Sequence, residues 1–208
     1  MTRERFRIAI LIAMTLLAVN AAAQKNEIAG SVGRVFISDQ GVLGANPADS
    51  NVHFGNGFTY EANYARHFLN TGLLGVSVEV PFVYTPTVNV HFGQNIVPKS
   101  FSSYFVTPAV RANLFPSTGF SPWVSVGGGF GRFGESSDLE FGGTNPGNTG
   151  TTSGVFQVGF GLDVKIIPLL KIRGEVRDFN SGVPQLNLST GKTREHNIFA
   201  GGGVVLSF

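Results

Sequence analysis

Apolar side chains recur at every second position in long runs, and this period of two limits the chain to strands. Phe58, Tyr60, Ala62, Tyr64 and Phe68 share one face, while Thr59, Glu61, Asn63 and His67 share the other. Leu74, Val76, Val78, Val80, Phe82 and Tyr84 oppose Gly75, Ser77, Glu79 and Thr85. Phe156 to Ile166 alternates in the same way against Gln157, Gly159, Gly161, Asp163 and Lys165, and Leu170, Ile172, Gly174 and Val176 oppose Lys171, Arg173, Glu175 and Arg177. An amphipathic helix would repeat every 3.6 residues instead; alternation describes a strand with one apolar and one polar face.

A soluble sandwich alternates too, so length and connections decide. The runs are about ten to fourteen residues, longer than the usual five or six and matched to the nine to eleven that cross a bilayer at a tilt. Connections alternate between short (70–72, 116–119, 167–168) and long (39–55, 86–100, 135–153, 180–196). Short turns on one side and long loops on the other belong to membrane barrels. The expected fold is all-β, an eight-stranded antiparallel transmembrane β-barrel, with strands near 26–38, 56–68, 73–85, 101–115, 121–134, 153–166, 169–179 and 197–208. In the first of these, Ile28, Val32 and Phe36 share a face with Arg34, which calls for a bulge or an interfacial Arg34. Pro81 and Pro108 fall within strands and predict bulges. Trp123 has the parity of the interior, at the periplasmic rim. Tyr60 and Tyr84 at the outer ends, with Phe68, Phe115 and Phe208 at the inner ends, supply two aromatic girdles.

The N-terminus is built differently. Arg3, Arg5 and Arg7 precede an apolar run from Ile8 to Val19, then Ala21, Ala22 and Ala23, the three-part layout of a cleaved signal peptide over 1–23. The run is too short to span a bilayer as a helix, which takes roughly twenty residues. The barrel domain is then 24–208. The complete sequence has a net charge of +2, but the leader carries three Arg and one Glu, so the remainder is neutral and argues for no nucleic-acid partner. The absence of Cys excludes disulfides and a lipoprotein anchor.

The final strand alternates Ile198, Ala200, Gly202, Val204, Leu206 and Phe208 against Phe199, Gly201, Gly203, Val205 and Ser207. Together with Thr107-Pro108-Ala109-Val110-Arg111, Ser121-Pro122-Trp123-Val124 and Glu175-Val176-Arg177-Asp178, it resembles the small OmpA-like and OmpX-like outer-membrane barrels. That resemblance covers the chain after the leader. It implies a bacterial outer-membrane location, with lipid and the barrel assembly machinery as partners and a monomeric state. It also implies that Val204, Leu206 and Phe208 form the assembly signal. No residues follow Phe208, so the peptidoglycan-binding domain of full-length OmpA proteins is not expected.

Function is less legible than fold. By parity Glu61, Glu79, Asp163 and Glu175 face the interior with Arg111, Lys165, Lys171, Arg173 and Arg177. Eight strands leave an interior just wide enough for side chains, so these charges predict a paired plug, or else a narrow gated path. Gly129-Phe130-Gly131-Arg132-Phe133-Gly134 matches G-x-G-x-x-G, yet a polar loop follows instead of the helix that nucleotide binding requires; the glycines relieve crowding. Ser189 and Lys192 match S-x-x-K without the helix or companion motifs of those enzymes. His53, His91 and His196 fall in or beside outer loops without metal-ligand spacing. His53 near Asp49 and Ser50, or His91 near Ser100, is the only hint of a lipid-modifying enzyme. The expectation is a non-enzymatic scaffold displaying loops for envelope integrity or adhesion to an unidentified surface ligand, with no cofactor, metal or catalytic residues.

Overall fold

The computed structural model describes residues 25–45 and 50–208; the expected leader, 1–23, lies outside them. Eleven strands follow in order: β1 (Asn26–Ile37), β2 (Gln40–Gly41), β3 (Asn51–Phe54), β4 (Gly57–Asn70), β5 (Leu74–His91), β6 (Ser100–Val106), β7 (Ala109–Leu114), β8 (Phe120–Glu135), β9 (Thr151–Ile167), β10 (Leu170–Ser181) and β11 (Glu195–Ser207). β6 and β7 are one stave in two pieces, both pairing β5 on one side and β8 on the other. The remaining long strands pair with their sequence neighbours, and β11 returns to β1 from Glu27↔Ser207 to Ile37↔Asn197. The result is a closed antiparallel ring of eight staves. Closure satisfies every ladder without leaving an edge, the condition for strands in lipid.

Alternation sorts the side chains. Ile28, Val32, Phe82, Val124, Phe160, Val204 and Leu206 stand on the outer surface, while Ser31, Glu61, Glu79 and Gln157 are buried inside. Tyr60, Tyr84 and Tyr104 lie in one cross-strand row. Stacking of Phe82 on Tyr104 and an edge contact of Tyr104 with Phe130 continue that row into an aromatic belt. Phe68, Phe115, Phe120 and Phe208 are exposed at the opposite end. Arg34 is settled without a bulge: β1 pairs in unbroken register, and Arg34 points outward between Phe58 and Ala200.

Three sequence expectations change. The bulges foreseen at Pro81 and Pro108 are absent. The two prolines instead face a gap where β6 and β7 part, with register kept on either side; two neighbouring residues without N–H donors cannot complete the ladder there. The register shifts lie elsewhere, at His67/Leu69, Thr85/Val88 and Leu170/Lys171. β5 also runs six residues past its expected end at Tyr84–Thr85, because the first loop folds β3 against it at His53↔His91 and Phe54↔Val90. Trp123 faces inward as expected, but it is buried among three guanidinium groups rather than open at the inner rim.

Candidate functional site

The lumen is filled in two layers. The inner layer is a charge network. Glu79 on β5 accepts from Arg177 Nη1 at 2.7 Å, Arg111 Nη1 at 3.3 Å and Asn63 Nδ2 at 2.9 Å. Arg177 Nε donates to Glu175 at 3.0 Å, and the Ser31 hydroxyl donates to the other oxygen of that carboxylate at 2.5 Å. Arg173 grips Asp163 with two bonds of 2.7 and 2.9 Å, the paired geometry in which guanidinium and carboxylate bind most strongly. Glu27 receives Arg111 and Lys171 and lies 3.2 Å from His67 Nε2. Trp123 is the hub: its Nε1 donates to Asp163 at 3.1 Å. The guanidiniums of Arg111, Arg173 and Arg177 lie 5.7, 5.0 and 5.0 Å from its ring centre, within the range of cation–π attraction.

The structure brings together eight of the nine expected lumen residues, Glu61, Glu79, Arg111, Asp163, Lys171, Arg173, Glu175 and Arg177. Lys165 does not join them. It is exposed at the inner mouth and makes no ion pair among the described residues, because β9 runs out of the barrel just beyond Asp163. Glu27 was missed, although Glu27, Ala29 and Ser31 alternate against Ile28, Gly30 and Val32; the ambiguity at Arg34 hid that parity. Glu61 is set apart within the network: Oε1 lies 3.2 Å from Arg177 Nε, yet neither oxygen accepts a hydrogen bond from a described residue. Val204, Leu206 and Phe208 are exposed on the outer face of β11, and Phe208 exchanges two 2.9 Å backbone bonds with Asn26 at the seam.

The outer layer is dominated by aromatic and aliphatic side chains, with the hydrogen-bonded pairs Thr59–Thr85 and Asn197–Ser181 buried among them, and it was not foreseen. Val35, Val83, Val88, Phe101, Phe105, Phe133, Phe179 and Phe199 fill the upper barrel with Val52 and Leu186 from the first and last long loops. Phe105 stacks on Phe179 at 5.0 Å and meets Phe133 edge-on. Their parity is that of the polar face, so a rule that treats inward positions as polar misses them. The glycines of the G-x-G-x-x-G string lie wholly within β8. A Cβ on Gly129 would stand 1.9 Å from the carbonyl oxygen of Val106, so only glycine permits the strands to approach there.

The loops are knitted into a cap. Lys99 N donates to Asp138 O, and Glu140 N to Val97 O, folding the third long loop on the second. Asn95 bridges them, accepting from Phe141 N and donating to Gly142 O, both at 2.9 Å. The fourth loop crosses over with Gln185 N on Glu135 and Asn187 on both Ile96 O and Asn145, and Ser189 O accepts from Leu43 N. Each outer-loop histidine pairs with a carboxylate: His53 with Asp39 at 2.7 Å, His91 with Glu140 at 2.9 Å, His196 with Asp178 at 2.7 Å. Among the described residues no serine hydroxyl bonds to any of the three, and no cluster has the make-up of a metal site. Glu195 lies above the lipid-facing part of β11, which begins at Ile198. Burial pushes its carboxyl up to about 8, against the opposing 2.8 Å bond from Gln40.

No protein-family model matches the chain, and no curated protein matches it. Solved structures do. Neisserial surface protein A (NspA) superposes with a TM-score of 0.56 at 12% identity, over 88% of this chain and 97% of that one. The outer-membrane protein OprG of Pseudomonas aeruginosa gives 0.56 at 12% identity, over 89% and 96%. Likeness at this level is likeness of fold. A closed ring of eight staves, an apolar outer face between two aromatic rows and that shared architecture give this chain the fold of the small eight-stranded outer-membrane β-barrels, with an outer surface suited to lipid.

Proposed function

We propose that this protein is a closed, non-enzymatic scaffold whose ordered extracellular loops serve surface adhesion or envelope integrity. The observation that carries the reading is the double filling of the lumen. An ion crossing the barrel would have to part both the Glu79–Arg177–Arg111 cluster and the apolar layer around Phe105 and Phe199. The cap above it exposes Leu43, Ile96 and Phe141, large apolar side chains held at loop tips by bonds from neighbouring loops, a presentation suited to a partner rather than to solvent. The narrow-pore reading has less support, since the rings of Phe101, Phe105, Phe133, Phe179 and Phe199 pack across the upper layer.

Two measurements test the proposal. In planar bilayers the purified protein should show no steady large conductance; a constant current proportional to salt would replace the scaffold by a pore. Cells in which 137–144 is exchanged for a Gly-Ser linker should keep folded barrel in the outer membrane but lose surface attachment or detergent resistance. Unchanged attachment and resistance would remove the display role.

A further inference from the structure

The inner end of the barrel carries a cavity that neither the plugged lumen nor the loop cap uses. It is a cup of about 620 Å³ opening towards the periplasm, lined among others by Lys25, His67, Asn113, Ser121, Lys165 and Lys171. Two carboxylates reach it, Glu27 and Asp163, and both are already compensated. Asp163 is held by Arg173, and Glu27 by Arg111 and Lys171. Lys25 and Lys165 remain, and neither forms an ion pair among the described residues. His67 shows its Nε2 to Glu27 and leaves Nδ1 without a hydrogen-bond partner. The cup thus carries a surplus of positive charge inside walls of low dielectric, where a like-signed lining concentrates counter-ions. Its floor is the charge network, so an anion that enters has no way through and is held.

We propose that this cup binds a phosphate-bearing anion from the periplasmic side, with the ammonium groups of Lys25 and Lys165 as its principal donors and Lys171 as a third. Ammonium groups act as point charges towards phosphate and need no fixed fork geometry, which suits a wide, open mouth. The exposed rings of Phe68, Phe120 and Phe208 stand at the same end of the barrel and set the mouth at the level of the inner-leaflet headgroups. The anion has two possible sources: a free phosphate compound or the headgroup of an anionic lipid.

The test uses the folded protein in phosphatidylcholine nanodiscs titrated with inorganic pyrophosphate, followed by NMR. Saturable shifts are expected at Lys165, Lys171, Thr71 and the His67 ring, with none at Asn95, Phe141 or Leu188 in the cap. Lys25→Gln with Lys165→Gln should weaken binding by about tenfold or more while the folded barrel keeps its gel mobility. Lys165→Gln alone, at an exposed position, serves if the pair does not fold. Phosphatidylglycerol introduced into the discs separates the sources: apparent pyrophosphate affinity falls with its proportion if the headgroup occupies the cup, and stays constant if the natural ligand is a free anion. The absence of saturable shifts in phosphatidylcholine discs, or binding by the lysine variants equal to that of the wild type, would overturn the proposal.

Discussion

Arg177 shows how much the lumen asks of single side chains. Fully buried, it lies beside Glu61, Glu79 and Glu175 and packs on Trp123. Arg177→Ala leaves those carboxylates without their shared cation, and stranding a buried charge costs about 3–5 kcal/mol. Urea titration of protein folded in lipid vesicles should show a loss of that order. Glu61→Gln should cost far less, because Glu61 accepts no hydrogen bond and shares Arg177 with two better-placed carboxylates. An equal loss from both would mean that Glu61 anchors the network. Glu195 makes a pH prediction in the cap. Its native value of about 8 exceeds the ordinary 4.5, so between those values the folded state binds the extra proton. The contribution is therefore full below about pH 4.5, declines as pH rises, and is gone above about 8. Exchange protection of the amides around Gln185 to Leu188 should fall across that window, and Glu195→Gln should flatten the decline.

Strands β9 and β11 carry the predictions about register and closure. Val158 faces lipid and Gln157 faces the lumen, where its amide donates to Ser125 at 3.0 Å. Val158→Arg places a charge in the apolar band at about 2–4 kcal/mol near the midplane, whereas Val158→Ala should change folding in lipid vesicles little. If the two variants unfold alike, the facing of β9 is reversed. In β11, Phe208 closes the seam to Asn26 and presents its ring at the inner rim. Phe208→Asp should lower the amount of folded barrel in the outer membrane; heat-modifiable gel mobility of membrane fractions checks it, and wild-type levels would remove Phe208 from the assembly signal. The prolines supply the contrary lesson. A Pro in a strand announces a missing donor, but whether the chain answers with a bulge or with an in-register gap depends on its neighbours; here Pro81 and Pro108 lie one register step apart across the ladder, and Thr107 N still donates to Pro81 O at 3.3 Å.

The barrel as a unit is closed twice by unlike means, and the two closures should fail independently. Arg111→Ala alone should leave bilayer recordings at baseline, since the Phe105–Phe179–Phe133 layer remains intact. Adding Phe105→Ala and Phe199→Ala removes rings from both sides of that layer and should produce brief small openings. Openings from Arg111→Ala by itself would mean that the apolar layer does not seal. Knitting of the loops belongs to the same economy: Leu186 from the last loop and Val52 from the first are part of the plug, so the surface on display and the seal beneath it are one packed body.

The amino-acid sequence by itself determined the strand count, the facing of nearly every residue in the staves and the inward charges, because a period of two is a local property and the connections mark where each stave ends. Glu27 belonged to that legible set, and only the ambiguous parity around Arg34 concealed it. Tertiary structure alone decided which charge meets which, that Trp123 sits among three guanidiniums, that Lys165 falls outside the network, and that aromatic rings pack the upper lumen. Those outcomes depend on the stagger of the staves around the ring, which sets the height of each inward side chain against neighbours far away in the chain. Alternation tells inside from outside, but it carries no information about height.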